Sequence, residues 1–367
     1  MAHGPLAGVR VIEMDAIGPV PLAGMLLADM GAEVVRIGRP GGAGGGGRAG
    51  GSGGGDTGGD VLNRGKTKVA LNLKESAERD RLLDLIANAD ALIEGSRPGV
   101  MERLGLGPDD CLSRNPKLVF VRLTGWGQDG PLAQSAGHDL NYIAMTGALG
   151  AMGPADAPPP PPLNLVGDYA GGTMFAVSGL LAALLSAQRT GKGQVVDVAM
   201  VDGVANLLAM FHAFMAAGGW RDRRQANLLD GAMPFYRCYA CKDGHVSVGA
   251  LEPQFFALLV EKLGFAADAF RQHDPAGWPA MEAAFAEKFA AMTRDEIGER
   301  FLNTDACVAP VLSLTEAMAH PANVARGVFV EHGGVQQAAP APRFSATPAA
   351  IGKGGGMAIE DAIARWA

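Results

Sequence analysis

The chain has 367 residues, of which 48% are hydrophobic and 19% charged, and its formal net charge is −7. That length supports two domains and a large core, and the composition excludes a disordered chain. An acidic balance without a dense Lys/Arg run also argues against a nucleic-acid partner.

The first forty residues read as one β-α-β unit. VRVIEM (9–14) has the apolar, β-branched character of a buried strand. DAIGPVP follows as a Gly/Pro loop. PLAGMLLADM starts a helix with Pro21 in its first turn and Gly31 just past its end, and EVVRI (33–37) is a second strand.

Residues 41–59 hold thirteen glycines in nineteen positions. A G-x-G-x-x-G falls out of this tract at Gly42, Gly44 and Gly47. A glycine run matches that pattern by chance and no helix pattern opens after it, so a flexible surface loop is expected rather than a nucleotide fingerprint. Beyond it, VALNL (69–73) reads as a strand. AERDRLLDLIANAD (77–90) places Leu82, Leu83, Leu85 and Ile86 at helical spacing. ALIEG and KLVFVRLTGWG are further buried strands. Five prolines at 158–162 mark an extended loop. NLVGDYAGG should then be a short strand and a Gly-Asp turn, leading into a long apolar helix that ends near Gly191. QVVDVAM is one more strand.

Strands alternating with helices imply an α/β fold with a doubly wound, mostly parallel sheet. The expected organisation is a large domain over 1–200, completed by the tail 330–367. A linker (201–230), a smaller α+β domain (231–310) and a return linker (311–329) make up the rest. No stretch of about 18 consecutive apolar residues stands out, so no membrane span is expected. The N-terminus lacks a basic region followed by an apolar block, and AIARWA is no peroxisomal tripeptide. Four scattered cysteines are no disulfide framework. A cytoplasmic location is the expectation. Cys238 and Cys241 form a C-x-x-C, but on a hairpin turning at Asp243-Gly244. Positions i and i+3 of a strand face opposite sides, so neither a metal nor a redox role is expected.

Three acid-base candidates emerge. His138 stands beside Asp139 at the head of an apolar run (GHDLNYIAMTGALGAMG, 137–153), where a partly buried imidazole suits proton transfer. Asp168 falls where a strand gives way to a helix. It could simply cap that helix, but the carboxyl end of a parallel strand is also where α/β proteins bind ligands. Glu252, before Pro253 and a helix, could complement the helix dipole or hold a histidine in one tautomer. Met145, Met152, Met210 and Met215 are the adaptable apolar residues of a pocket, although methionine at such positions is more often plain core.

The chain resembles the α-methylacyl-CoA racemases of the class III CoA-transferase superfamily nearly end to end. The motifs are GVRVIEM, ADMGAEVVRI, LIEGSRPGVMERLGLGP, RLTGWGQDGP, GHDLNY, PPLNLVGDYAGG, GKGQVVDVAMVDG and VGALEPQFF. The resemblance implies acid-base roles for His138, Asp168 and Glu252. It implies CoA contacts for Arg39, Arg97 and Arg103, and places Gly137, Asp139, Tyr142, Leu71, Leu73 and Lys74 around the same pocket. It also implies an interlocked homodimer, with Glu252 of one subunit meeting His138 of the other. The glycine tract is longer than the corresponding family segment.

The implied chemistry is inversion at the carbon next to a thioester carbonyl. One base removes the α-proton, an enolate forms, and an acid on the other face returns a proton. Backbone N–H groups at the Asp168 turn are the expected donors to the enolate oxygen. CoA arrives as part of the acyl-CoA substrate, and no further cofactor or metal is expected. The alternative is a CoA-transferase with Asp168 as nucleophile. The GHD motif favours the racemase, because a transferase needs no second base at His138.

Overall fold

The computed structural model describes residues 4–41 and 60–367. The glycine match at Gly42, Gly44 and Gly47 lies outside the described residues. In chain order the elements are β1 (Arg10–Met14), α1 (Pro19–Asp29), β2 (Glu33–Gly38), β3 (Thr67–Ala70), α2 (Ser76–Ile86), β4 (Ala91–Glu94), α3 (Val100–Arg103), α4 (Pro108–Arg114), β5 (Val119–Thr124), α5 (Asp139–Met145), α6 (Met174–Thr190), β6 (Gln194–Ala199), α7 (Met200–Leu207) and α8 (Ala209–Ala216). They continue with β7 (Tyr236–Cys241), β8 (Gly244–Gly249), α9 (Pro253–Lys262), α10 (Trp278–Ala290), α11 (Arg294–Phe301), β9 (Val308–Pro310), α12 (Leu314–Ala319), α13 (Pro321–Arg326), β10 (Phe329–His332), β11 (Val335–Ala338), β12 (Gly355–Gly356) and α14 (Ile359–Trp366).

The chain divides into two compact units: 1–146, 161–208 and 326–367 form the first, and 147–160 with 209–325 the second. The expected linker 201–230 is thus shared, α7 going with the first unit and the remainder with the second. Residues 147–160, read as part of the large domain, group with the second unit because their backbone bonds there: the Gln225 carboxamide accepts from Ala155 N, and Arg224 donates to the carbonyls of Pro154 and Ala157.

The first unit is built on a seven-stranded sheet in the order β12-β3-β2-β1-β4-β5-β6, with every neighbour parallel. Apolar residues alternate to its two faces, as the period of a strand requires. Val11, Val34, Ile93 and Val121 pack with α1 and α6, while Ile12, Val35, Leu92 and Phe120 pack with α2 and the α14 residue Trp366. Strand order reverses at β1, whose parallel neighbours are β2 on one side and β4 on the other. A crevice at such a switch point, outside the carboxyl ends of the strands, is where doubly wound sheets bind ligands.

Several boundaries depart from the sequence reading. The strand expected over 69–73 ends at Ala70: Leu71 makes one more ladder bond, to Gly38 O, and the chain then turns at Asn72. Helix α2 stops at Ile86, before Asn88 and Asp90. NLV is no strand. Leu165–Thr173 is a nine-residue π-helix that runs directly into α6. Together, Leu165–Thr190 form a 26-residue helical run long and apolar enough, by length and composition, to cross a membrane, which amends the expectation that no such stretch exists. Its inner face, including Ala176, Val177, Leu180 and Ala187, is buried against the sheet.

The second unit has a three-stranded antiparallel sheet, β7-β8-β9. One face carries α9, α10 and α11 through a phenylalanine-rich core of Phe235, Phe256, Phe285, Phe289 and Phe301. In the hairpin, Cys241 pairs with Gly244, so the two turn residues are Lys242 and Asp243 rather than Asp243 and Gly244. Cys241 packs toward the helical core, whereas Cys238 is exposed and lines a ~630 Å³ cavity.

Candidate active site

The acid-base candidates of the first unit lie where β1, β4 and β5 end. The turn after β5 supplies Gly125 and Trp126, and α5 follows at His138. The ring of Tyr142, one turn into α5, is wedged between two glycines. A Cβ at Gly125 or Gly137 would stand 2.1 Å or 2.6 Å from it, so only glycine admits the ring at either place. Trp126 packs edge-on to the same ring, with centroids 4.9 Å apart. The Tyr142 hydroxyl donates to Gly137 O at 2.5 Å. Burial, reinforced by the negative charges of Asp168 and Asp139, pushes its pKa up to about 12 and keeps the phenol protonated. Tyr142 is therefore a wedge that fixes the approach to His138.

His138 occupies the N-cap of α5, and its backbone N–H donates to Asn141 Oδ1 at 3.1 Å. His138 is exposed in the single chain rather than partly buried as expected, and its side chain makes no capping bond. Asp139, the next residue, turns the other way and is 4% exposed. Its Oδ2 accepts two consecutive backbone N–H groups, from Gly167 at 2.6 Å and from Asp168 at 2.8 Å. Gly167 allows this approach, since a Cβ there would meet the Asp139 carboxylate at 2.9 Å. The pairing of His138 with Asp139 thus has a division of labour: one side chain faces out, and the other staples α5 to the Asp168 segment.

Asp168 does not cap a helix. It sits within the π-helix, half-buried, and among the described residues its carboxylate takes one side-chain hydrogen bond, from Asn164 Nδ2 at 3.4 Å. Desolvation raises its pKa, the Asn164 bond lowers it, the charge of Asp139 raises it further, and the nearby His138 imidazole draws it back. The net shift is upward. His138 and Asp168 thus lie in the same region, tied through Asp139, which follows His138 and binds the Asp168 backbone N–H. π-Turns inside helices are frequent at functional sites, and this one carries the candidate acid. The expected enolate donors are different from what the sequence implied: the N–H groups of Gly167 and Asp168 are already committed to Asp139.

Of the implied CoA contacts, Arg97 lies two residues past Gly95, beyond the end of β4, exposed and near enough to Tyr142 for its charge to oppose the rise of the phenol's pKa. Arg103 ends α3 and folds back over Gly99, whose added Cβ would stand 3.1 Å from its guanidinium. Arg39 follows β2 and is exposed. All three follow strand ends on the carboxyl side of the sheet. Lys74 is exposed as well. Leu71 is 3% exposed and its side chain belongs to the core, while Leu73 is partly buried against the same core.

Glu252 belongs to the second unit, at the N-cap of α9. Its carbonyl accepts from Phe255 and Phe256, and its side chain is exposed and makes no capping bond. Met145, Met210 and Met215 are 68%, 46% and 54% exposed, so the plain-core reading of these methionines does not hold. Met145 borders a ~240 Å³ cavity with Trp126, Leu132 and Val201.

The sequence reading missed Asn164, Gly18 and Thr173. Gly18 has φ +77°, and a Cβ there would lie 3.3 Å from Asp168 Oδ2. Its signal was available, since a Gly-Pro step opening a helix after a strand is where backbone approaches a ligand closely.

The chain is similar to several known proteins. The model of CoA-transferase family III matches residues 6–355. The α-methylacyl-CoA racemase of Mus musculus is 43% identical over 94% of this chain and 87% of its own, and that of Homo sapiens is 41% identical with the same coverage. The crystal structure of a CAIB/BAIF family protein from Brucella suis superposes with a TM-score of 0.82 at 25% identity, covering 99% of this chain and 98% of that one. The chain belongs to CoA-transferase family III.

Proposed function

We propose that this protein is a racemase that inverts the α-carbon of 2-methylacyl-CoA thioesters by two-base proton transfer. The observation that carries the reading is a half-buried Asp168, whose pKa is raised by desolvation and which feels the charge of His138, with Asp139 next to His138 binding its backbone N–H. A carboxyl group with raised proton affinity and an imidazole can exchange roles as acid and base near neutral pH. One takes the α-proton from its face of the carbon, the charge passes to the thioester oxygen as an enolate, and the other group returns a proton to the opposite face. Each positioned group supplies about 10²–10⁴-fold in rate. Arg39, Arg97 and Arg103 would meet the CoA phosphates as charge-assisted partners. The resemblance to racemases of that name supports the substrate class.

In this reading the active unit is an interlocked homodimer in the cytoplasm, with Glu252 of one subunit orienting His138 of the other. CoA enters only as part of the substrate. The exposed His138 and the exposed carboxylate of Glu252, which makes no capping bond, both fit groups that are completed by a second subunit.

A transferase reading rests on the same Asp168, whose carboxylate has one weak side-chain bond and is accessible as a nucleophile. Incubating one enantiomer of a 2-methylacyl-CoA in D₂O separates the two. Deuterium at C2 with loss of optical purity is the racemase result. CoA passing to an added free acid without exchange at C2 overturns it.

A further inference from the structure

Asp168 is fixed from below by Asp139, but its carboxylate also faces a wall. That wall is the Gly18–Pro19 step at the start of α1. Two buried side chains from distant parts of the chain hold this turn. The Thr173 hydroxyl, 0% exposed, donates to Pro19 O at 2.8 Å. Lys66 Nζ, also fully buried, donates to Pro21 O at 2.8 Å and pairs with Glu13 Oε2 at 2.6 Å. Arg36 stands on the other side of Glu13, its Nε 3.8 Å from Oε1. Gly24 makes room for the pair, since a Cβ there would fall 1.6 Å from Glu13 Oε2.

A buried lysine–glutamate pair carries a large desolvation penalty and is weak evidence for stability in itself. Here it is aimed at one backbone carbonyl in the first turn of α1. The Thr173 bond is aimed at another, two residues earlier. Thr173 closes the π-helix that carries Asp168, and its hydroxyl also lies 3.3 Å from Asp168 O. A hydroxyl has one proton, and the shorter, buried contact to Pro19 O is its better acceptor. The bond therefore ties the helix bearing the acid to the turn that faces it.

We infer that Thr173 is a positioning residue for Asp168: its hydroxyl locks the Gly18–Pro19 turn against the Asp168 carboxylate, and the Glu13–Lys66 pair anchors the same turn through Pro21. The lock has a chemical purpose. A base must hold its oxygen within a fraction of an ångström of the α-proton, and a 1 Å misplacement can cost about 10²-fold. The wall also limits how water reaches the carboxylate on that side. Thr173 acts through Pro19 and Gly18 and does not itself meet the substrate.

The inference rests on the racemase reading for its rate consequence but not for its structural one, so two measurements are paired. Thr173→Val keeps the shape and removes the hydroxyl, and Thr173→Ser keeps the hydroxyl. With a 2-methylacyl-CoA in D₂O, Thr173→Val is expected to lower kcat for C2 exchange by about 5- to 100-fold with KM little changed, and Thr173→Ser to recover most of it. In the protein alone, the ¹³C carboxyl resonance of Asp168, assigned with Asp168→Asn, is expected to titrate at lower pH in Thr173→Val than in the unaltered chain, as water gains access. Gly18→Ala approaches the same contact from the opposite side and should disturb the same resonance, which keeps the test open if Thr173→Val folds poorly. An unaltered chain that exchanges no C2 proton removes the racemase reading and leaves the titration to decide the inference. An Asp168 titration unchanged in both Thr173→Val and Gly18→Ala overturns the inference, as does a Thr173→Ser variant as impaired as Thr173→Val.

Discussion

One carboxylate oxygen of Asp139 accepts the backbone N–H of Asp168 at 2.8 Å, so the residue after one candidate base holds the main chain of the other. The same oxygen takes Gly167 N, while Asp139 Oδ1 is buried without a partner among the described residues. The geometry and the charge act together. The contact holds the main chain that carries the Asp168 carboxyl, and the negative charge of Asp139 helps to raise its pKa.

Asp139→Asn should therefore alter both properties. Its neutral oxygen accepts more weakly than a carboxylate, where such bonds contribute about 1.5–3 kcal/mol, so kcat should fall by about tenfold or more. The like charge raising the Asp168 pKa also disappears, so that pKa falls. Asp168 serves as a base only when deprotonated. The acid limb of the rate profile should move to lower pH in Asp139→Asn. A limb that stays in place or moves upward would show that Asp139 does not set the proton affinity of Asp168.

Arg97 and Arg103 should act on binding. Both are exposed, follow β4, and face the carboxyl side of the sheet, where a CoA phosphate would pair with them. Arg→Ala at either position should raise KM with kcat little changed, the sign of an interaction made equally in ground and transition states. A large fall in kcat at constant KM contradicts the assignment.

Much of the fold was legible because its signals are local. The β-branched runs at β1, β2 and β5 are buried on both faces, and such runs mark parallel strands. Gly31 and Gly191 sit where α1 and α6 end. The π-helix was not legible, because LVGDYAGGT carries the glycines and the aspartate of a turn. Gly171 and Gly172 instead let this helical segment pack closely against Met200 and Val204. The site was half legible. His138 and Asp168 announce themselves as titratable groups in apolar surroundings. The function of Asp139 depends on two N–H groups 28 and 29 residues away, and the roles of Thr173 and Lys66 depend on carbonyls 154 and 45 residues away. No local pattern encodes contacts of that range.

If His138 and Asp168 serve opposite faces of C2, single substitutions should break the symmetry between enantiomers. His138→Ala should suppress α-proton exchange of one hand more than the other, and Asp168→Ala should show the reverse bias. Both should lose racemisation, which needs the two groups in sequence. Deuterium wash-in measured separately on the R and S thioesters reads this directly. Equal residual exchange of both hands in both variants is incompatible with two opposed bases. Loss of all activity in Asp168→Ala with a mild effect of His138→Ala would return the transferase reading.

The last prediction concerns Glu252, whose exposed side chain leaves the N-cap of α9 without a capping bond. If it orients His138 of a second subunit, Glu252→Gln should lower activity less than His138→Ala, because the imidazole stays in place and loses only its charged partner. A stronger test mixes the two variants in one dimer. When each site takes His138 from one chain and Glu252 from the other, a dimer of a His138→Ala chain with a Glu252→Gln chain contains one site with both defects and one with neither. Activity should then rise above that of either parent dimer, toward half of the unaltered value. If both residues of a site came from the same chain, every site in the mixed dimer would carry one defect. The mixture would be no better than the average of its parents. Co-expressing the two chains with different affinity tags and isolating the doubly tagged species makes the comparison, and a doubly tagged dimer at the parental average would overturn the exchange between subunits and place the His138 and Glu252 of each site on the same chain.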